Sequence, residues 1–276
     1  MLSVKKSLNN NVLVATDSKY GEVVLIGKGI GFGKKSGETV SEEEAEKFFI
    51  LKEAKEQEQY KQLLDYVDEG FIGLMDDMIH LIEKRFSIKL HEHIHIALTD
   101  HLFYAVKRVK QGLDISNPFL TETELAYPKE YAVASELIEY LNESLGIHIP
   151  PGEIGFVTLH IHSALSNRSL SEVNKHTRLI GELVQIIENV LSISIDRQDI
   201  NYLRLVRHLH HVIERIEKEN YIDNQETLKR VLQEEYPICY NLSWKLMKIM
   251  QQTLHRNVPD AEAVYLTLHL QRLAKK

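Results

Sequence analysis

Residues 127–160 read YPKEYAVASELIEYLNESLGIHIPPGEIGFVTLH, and residues 236–269 read YPICYNLSWKLMKIMQQTLHRNVPDAEAVYLTLH. Set beneath one another without a gap, they share ten of 34 positions. The identities are Tyr127/Tyr236, Pro128/Pro237, Tyr131/Tyr240, Leu137/Leu246, Leu145/Leu254, Pro150/Pro259, Glu153/Glu262, Thr158/Thr267, Leu159/Leu268 and His160/His269. Upstream, at an offset of 107, His101-Leu102 falls beneath His208-Leu209 and Arg108 beneath Arg215. A gapless match with a period of 107–109 residues is a domain duplication, too long for a solenoid unit. Each copy carries one early and one late histidine: His101 and His160, then His208 and His269. The six prolines, at 118, 128, 150, 151, 237 and 259, fall where the apolar pattern pauses, as expected of helix starts and loops.

Outward from the repeat, helix period extends back to Lys52: Leu63, Leu64 and Val67, then Phe71, Leu74, Met78 and Ile82, follow spacings of three and four. The first fifty residues differ. Val12 to Ala15, Val23 to Ile26 and Phe48-Phe49-Ile50-Leu51 are short β-prone runs, separated by turn clusters such as Asn9-Asn10-Asn11 and Ser18-Lys19-Tyr20-Gly21. The expected fold class is α+β and multidomain: a small antiparallel β-sheet domain (1–60), then two duplicated all-α helical-bundle domains (61–168 and 169–276).

With 43% apolar and 26% charged residues, the 276-residue chain reads as globular domains. A net charge of −7 argues against a wholly basic nucleic-acid coat protein, yet leaves room for one basic module. Cys239 is the one cysteine, which excludes an intramolecular disulfide and a multi-cysteine zinc site. Lys5 and Lys6 lead into asparagines rather than an apolar run, and no stretch approaches the ~18 apolar residues of a membrane helix. The expectation is a cytoplasmic protein without membrane insertion.

Gly27, Gly29, Gly31 and Gly33 alternate in a spacing that fits no nucleotide-phosphate loop, and suggest an extended segment approached closely by another molecule. Up to Lys35, lysines at 5, 6, 19, 28, 34 and 35 face Asp17 and Glu22. Lysines can neutralise phosphates, Asn9 to Asn11 can bond base edges, and Phe32 can stack on an unpaired base. A twisted hairpin with solvated lysines explains the same composition, and RNA and DNA both fit. His91, His93 and His95 would share one strand face for a metal, but Ile94, Ile96 and Leu98 fit a helix start and no metal is expected. Of His208, His210 and His211, the repeat selects His208. Glu153 and His160 are seven apart, as are Glu262 and His269, His101 and Arg108, and His208 and Arg215. Two helical turns put each pair on one face. Imidazole is nucleophilic near neutrality and can accept a phosphoryl group, whose charge then reorganises an interface. Neither a Ser-His-Asp set nor a Walker loop is present, so neither an enzyme nor a cofactor is expected.

Over essentially its whole length the chain resembles the BglG/SacY/LicT-type transcriptional antiterminators, particularly their glucose-specific branch. Lys6, Asn9-Asn10-Asn11 and the segment from Gly27 to Gly37 resemble that family's co-antiterminator RNA-binding domain. Thr99-Asp100-His101-Leu102 and Leu159-His160-Ile161-His162-Ser163-Ala164 look like the histidine motifs of its first phosphotransferase-system regulation domain. Arg207-His208-Leu209 and Tyr265-Leu266-Thr267-Leu268-His269 look like those of the second. The resemblance implies a four-stranded sheet that dimerises and clamps a leader-mRNA hairpin, the ribonucleic antiterminator. Lys6, Asn9, Asn10, Asn11, Gly27, Lys28 and Phe32 would meet the RNA. It further implies phosphorylation at His101, His160, His208 and His269, by the glucose-specific enzyme II on the first domain, as inhibition, and by HPr on the second. Two departures stand out: Lys28 replaces the Arg of many relatives, and Arg207 stands where the first copy has Asp100. The competing readings are a DNA-binding activator under phosphotransferase control, which would need a helix-turn-helix, and a phosphocarrier enzyme.

Overall fold

The computed structural model describes residues 1–8, 10, 12–27, 29–45, 47–50, 62–63, 66–90, 93–113, 115–219 and 226–275. The sheet comprises β1 (Leu2–Ser7), β2 (Val12–Asp17), β3 (Gly21–Ile26), β4 (Thr39–Val40) and β5 (Lys47–Ile50). The strands lie in the order β4-β1-β2-β3-β5, each pair antiparallel. The resemblance implied four strands; Thr39–Val40 adds a two-residue fifth at the β1 edge. Leu51, at the end of the third β-prone run, lies outside the described residues.

Leu2, Val4, Leu13, Ala15, Val23, Leu25 and Val40 bury one face of the sheet with Ile30. Val12, Val14 and Val24, on the alternate positions, are buried as well. Burial of both faces explains why β2 and β3 read as continuous apolar runs rather than alternating ones. In β1 the register shifts between Val4 and Lys6, so Lys5 and Lys6 are both exposed despite adjacency. An irregularity of this kind re-aims side chains at a sheet margin.

Ten helices follow among the described residues: α1 (Glu69–Phe86), α2 (His93–Lys110), α3 (Leu120–Ala126), α4 (Pro128–Leu145), α5 (Gly152–Ser166), α6 (Leu170–Leu191), α7 (Ile200–Glu217), α8 (Glu226–Glu235), α9 (Pro237–Leu254) and α10 (Asp260–Ala274). The helix-period sequence is interrupted at Val67-Asp68, where the Asp68 carboxylate accepts from the Phe71 amide at 2.9 Å and starts α1. Side-chain oxygens at this position satisfy an otherwise orphaned amide. Prolines begin α4 and α9 and precede α10.

The duplication extends into a feature the alignment missed. α1 ends at Ser87 and α6 at Ser192, both left-handed with φ 52°. Beyond each cap, a glutamate one turn back accepts a loop amide: Leu90 to Glu83 at 3.0 Å and Ile195 to Glu188 at 2.9 Å. Few identities mark this offset, because the shared element is a backbone path.

The chain divides into two compact units, residues 1–115, 133–153 and 164–167 in one, and residues 116–132, 154–163 and 168–276 in the other. In the first, α1 packs on α2, with Phe71 edge-on to Phe103 at 5.8 Å. In the second, Leu183, Val184 and Ile187 of α6 meet Leu205, Leu209 and Ile213 of α7, with Leu246, Met250, Leu266 and Leu270 completing the core. Tyr202 is fully buried in this unit, and its hydroxyl donates to Glu122 of α3 at 2.6 Å. Tyr202→Phe leaves that buried carboxylate short of a donor, an expected loss of about 1–3 kcal/mol. Urea denaturation of the wild type and the variant measures it.

Candidate functional site

The polar end of the sheet is built by backbone bonds between two turns. Asn10 accepts from the Gly31 amide at 2.9 Å, and the Ser7 hydroxyl donates to the Gly31 carbonyl at 2.9 Å. The glycine segment is not extended. Ile30 bonds back to Gly27, Phe32 to Gly29 and Lys34 to Gly31, in successive tight turns. Gly29 and Gly33 have φ of +74° and +71°, a region that costs side-chain-bearing residues energy. At Gly29 and Gly33 glycine serves positive φ, which sequence spacing alone does not distinguish from close approach.

Ile30 is buried and anchors the loop, while Phe32 is 74% exposed. Lys6 and Asn10 are also exposed, and Gly27 is buried backbone. Asn9, Asn11 and Lys28 lie outside the described residues. The lysines are not uniformly solvated: Lys5 pairs with Glu22 at 2.7 Å, and Lys34 approaches Glu44 at 3.7 Å.

The histidine positions resolve into two different arrangements. In the first copy, Nε2 of His101 on α2 lies 2.9 Å from Oε2 of Glu153 on α5, and Nη2 of Arg108 lies 2.7 Å from Oε1. Glu153 is 2% exposed. Burial pushes its carboxyl up, but His101 and Arg108 outweigh that and hold it below its ordinary value. Sequence spacing paired Glu153 with His160 along one helix; across helices, the same carboxylate serves His101. Asp100, adjacent in sequence, instead accepts from the Tyr66 hydroxyl at 2.6 Å. Successive helical residues diverge by about 100°, so neighbours in sequence meet different partners. His160 is 8% exposed on α5.

In the second copy Arg215 takes both oxygens of Glu262, with three hydrogen bonds of 2.8–3.0 Å. His208 stacks on His269, ring centroids 4.5 Å apart and planes 22° from parallel. Burial, then the proximity of His269 and Arg215, push His208 down to about 3. Burial also lowers His269, aided by Arg272 and Arg204. Both imidazoles are neutral at physiological pH, and a neutral ring retains its nucleophilic lone pair. The Arg–Glu pair is thus common to both copies, while the early histidine meets the glutamate in one and a second imidazole in the other.

His93 and His95 lie at the start of α2, where residues two apart point to different sides; His91 lies outside the described residues. Among the described residues no group of three or more His, Cys, Asp or Glu could hold a metal ion. Also among them, no helix is long and apolar enough to cross a membrane.

Comparison with known proteins agrees with this division. A CAT RNA binding domain model matches residues 2–58, and a PRD domain model matches residues 76–164 and 181–273. The PtsGHI operon antiterminator of Bacillus subtilis (strain 168) is 55% identical over 274 residues, covering 99% of this chain and 98% of that protein. The GlcA/glcB genes antiterminator of Staphylococcus carnosus (strain TM300) is 38% identical over 275 residues, covering 99% and 96%. A crystal structure of GlcT CAT-PRDI is 57% identical and superposes with a TM-score of 0.54, covering 59% of this chain and 98% of that one. With an N-terminal CAT domain, two PRD copies and full-length similarity to operon antiterminators, the chain belongs to the CAT–PRD family of RNA-binding transcriptional antiterminators.

Proposed function

We propose that this protein binds a hairpin in the leader mRNA of glucose phosphotransferase genes, so that an overlapping terminator does not form. It acts in the cytoplasm as a homodimeric regulator rather than an enzyme. The RNA site comprises Lys6, Asn9, Asn10, Asn11, Gly27, Lys28 and Phe32. His101, His160, His208 and His269 receive phosphoryl groups, the first two from the glucose-specific enzyme II as an inhibitory signal, the second pair from HPr. The sequence divides functionally at residues 60 and 168.

The observation carrying the RNA reading is the knotted end of the sheet. It presents Lys6, Asn10 and a largely exposed Phe32 together, on a loop whose backbone is fixed by internal bonds. An exposed aromatic ring on a rigid loop suits stacking on an unpaired base, and lysine and asparagine suit phosphate and base-edge contacts. Phe32→Ala should weaken binding of the leader hairpin by about 1–3 kcal/mol without affecting the fold. Gel shifts with the full chain against the hairpin and against duplex DNA check both parts. Equal affinity for the variant removes the stacking role, and preference for the duplex favours a DNA-binding activator.

A further inference from the structure

The His–Glu–Arg arrangement at His101 recurs in the second compact unit, at positions that the duplication does not match. Nε2 of His176 on α6 lies 2.7 Å from Oε1 of Glu217 at the end of α7. Nη1 of Arg168, in the loop before α6, lies 2.7 Å from the other oxygen of Glu217. These three line a cavity of about 340 Å³, together with Glu172 and Lys175 of α6 and Arg256 beyond α9. The His176 side chain is 4% exposed, so the cavity has a buried polar wall.

Its charges are unevenly committed. Glu217 is shared between His176 and Arg168, and Arg168 also reaches Glu214 at 3.1 Å. Glu172 is engaged in the capping box with Ser169 at the start of α6. Lys175 is exposed and enters no ion pair among the described residues. Arg256 pairs with Glu219 at 2.7 Å, but both side chains are more than half exposed, and such surface pairs contribute little. Two cations from separate segments thus stand at the mouth of a polar cavity whose carboxylates are already partnered.

We infer that this cavity binds a small phosphorylated molecule, with Lys175 and Arg256 on the phosphate and Arg168 and His176 behind them. The volume falls within the range of small-molecule sites. Charge-assisted bonds from several donors suit a dianion that accepts through three oxygens. Burial lowers His176, opposed by Glu217; the groups facing it are Glu217, Glu214 and His210 of α7, Glu172 of α6, and Arg168. An arriving dianion adds negative charge beside a ring that is neutral beforehand, so binding should draw in a proton. This site lies outside the four phosphoacceptor positions and does not depend on their assignment.

The test is titration calorimetry on the full chain with glucose 6-phosphate as the probe, with inorganic phosphate, glucose and matched sodium chloride as parallel arms. Saturable binding of glucose 6-phosphate at one site per chain is expected. In the Lys175→Gln/Arg256→Gln double variant it should weaken by about tenfold or more, the loss of one to two charge-assisted contacts. Both residues are exposed, so the variant should keep its fold; an unchanged melting temperature verifies this. Phosphate binding with the same variant sensitivity supports the site and identifies free phosphate as a sufficient ligand. Absence of saturable binding, equal binding of glucose, or undiminished binding by the double variant overturns the inference.

Discussion

A chain carrying His101→Ala should drive antitermination at full level whether or not glucose is present. Alanine removes the nucleophile at the proposed inhibitory site, so the donor finds no acceptor there and the off state is not reached. The surroundings survive the change, because Arg108 remains on Glu153 at 2.7 Å when the imidazole is gone. His101→Asp supplies the opposite arm. It places a permanent carboxylate beside a buried carboxylate, and two like charges this close repel strongly in a poorly solvated setting. This mimics the charge of a phosphate and should silence a terminator–reporter fusion in both media. Reporter expression with and without glucose, alongside a melting curve for each variant, reads the outcome. Full glucose response in a folded His101→Ala protein moves the inhibitory site elsewhere, with His160 next.

The largest stability effect is expected at Glu153. Glu153→Ala leaves Arg108 and the His101 ring around a buried position with no anion between them. Removing one partner of a buried pair typically costs about 3–5 kcal/mol. Arg108 is partly solvated, so about 2–3 kcal/mol is the better expectation here. The effect has a pH signature. A carboxyl held below its unfolded value binds fewer protons when folded. Its contribution is therefore complete above the unfolded pKa of about 4.3 and is lost as pH falls through the lower folded value. The gap between wild type and variant in guanidinium denaturation should narrow as pH falls below about 4.3. Glu153→Gln, which keeps the shape but not the charge, should lie between. A gap independent of pH in the acid range shows that the carboxylate is not the stabilising element.

Much of this architecture was readable from the amino acids, and the unread part has a definable character. The repeat, its histidines and the proline-marked helix starts are one-dimensional signals, and α4, α9 and their neighbours follow them. β1 does not read as a strand, because Lys5-Lys6 breaks the alternation that its register shift accommodates. The glycine loop reads as extended because positive φ leaves no mark beyond the glycines themselves. Spacing along one helix places Glu153 beside His160, yet its partner lies across helices on α2, which such spacing cannot show. The His176–Glu217–Arg168 group joins residues 49 apart and belongs to no repeat, so nothing in the linear pattern pointed to it.

The stacked pair of His208 and His269 has a consequence for signal fidelity. An ordinary histidine gains or loses charge between about pH 5 and 8, so a cell that acidifies as it consumes sugar would alter such a residue with no donor involved. Burial lowers both rings and takes His208 out of that range, down to about 3. Under the proposed phosphorylation, a phosphoryl group puts charge on His208 where protonation does not. A receiver built on such a ring would follow its donor rather than the acidity around it.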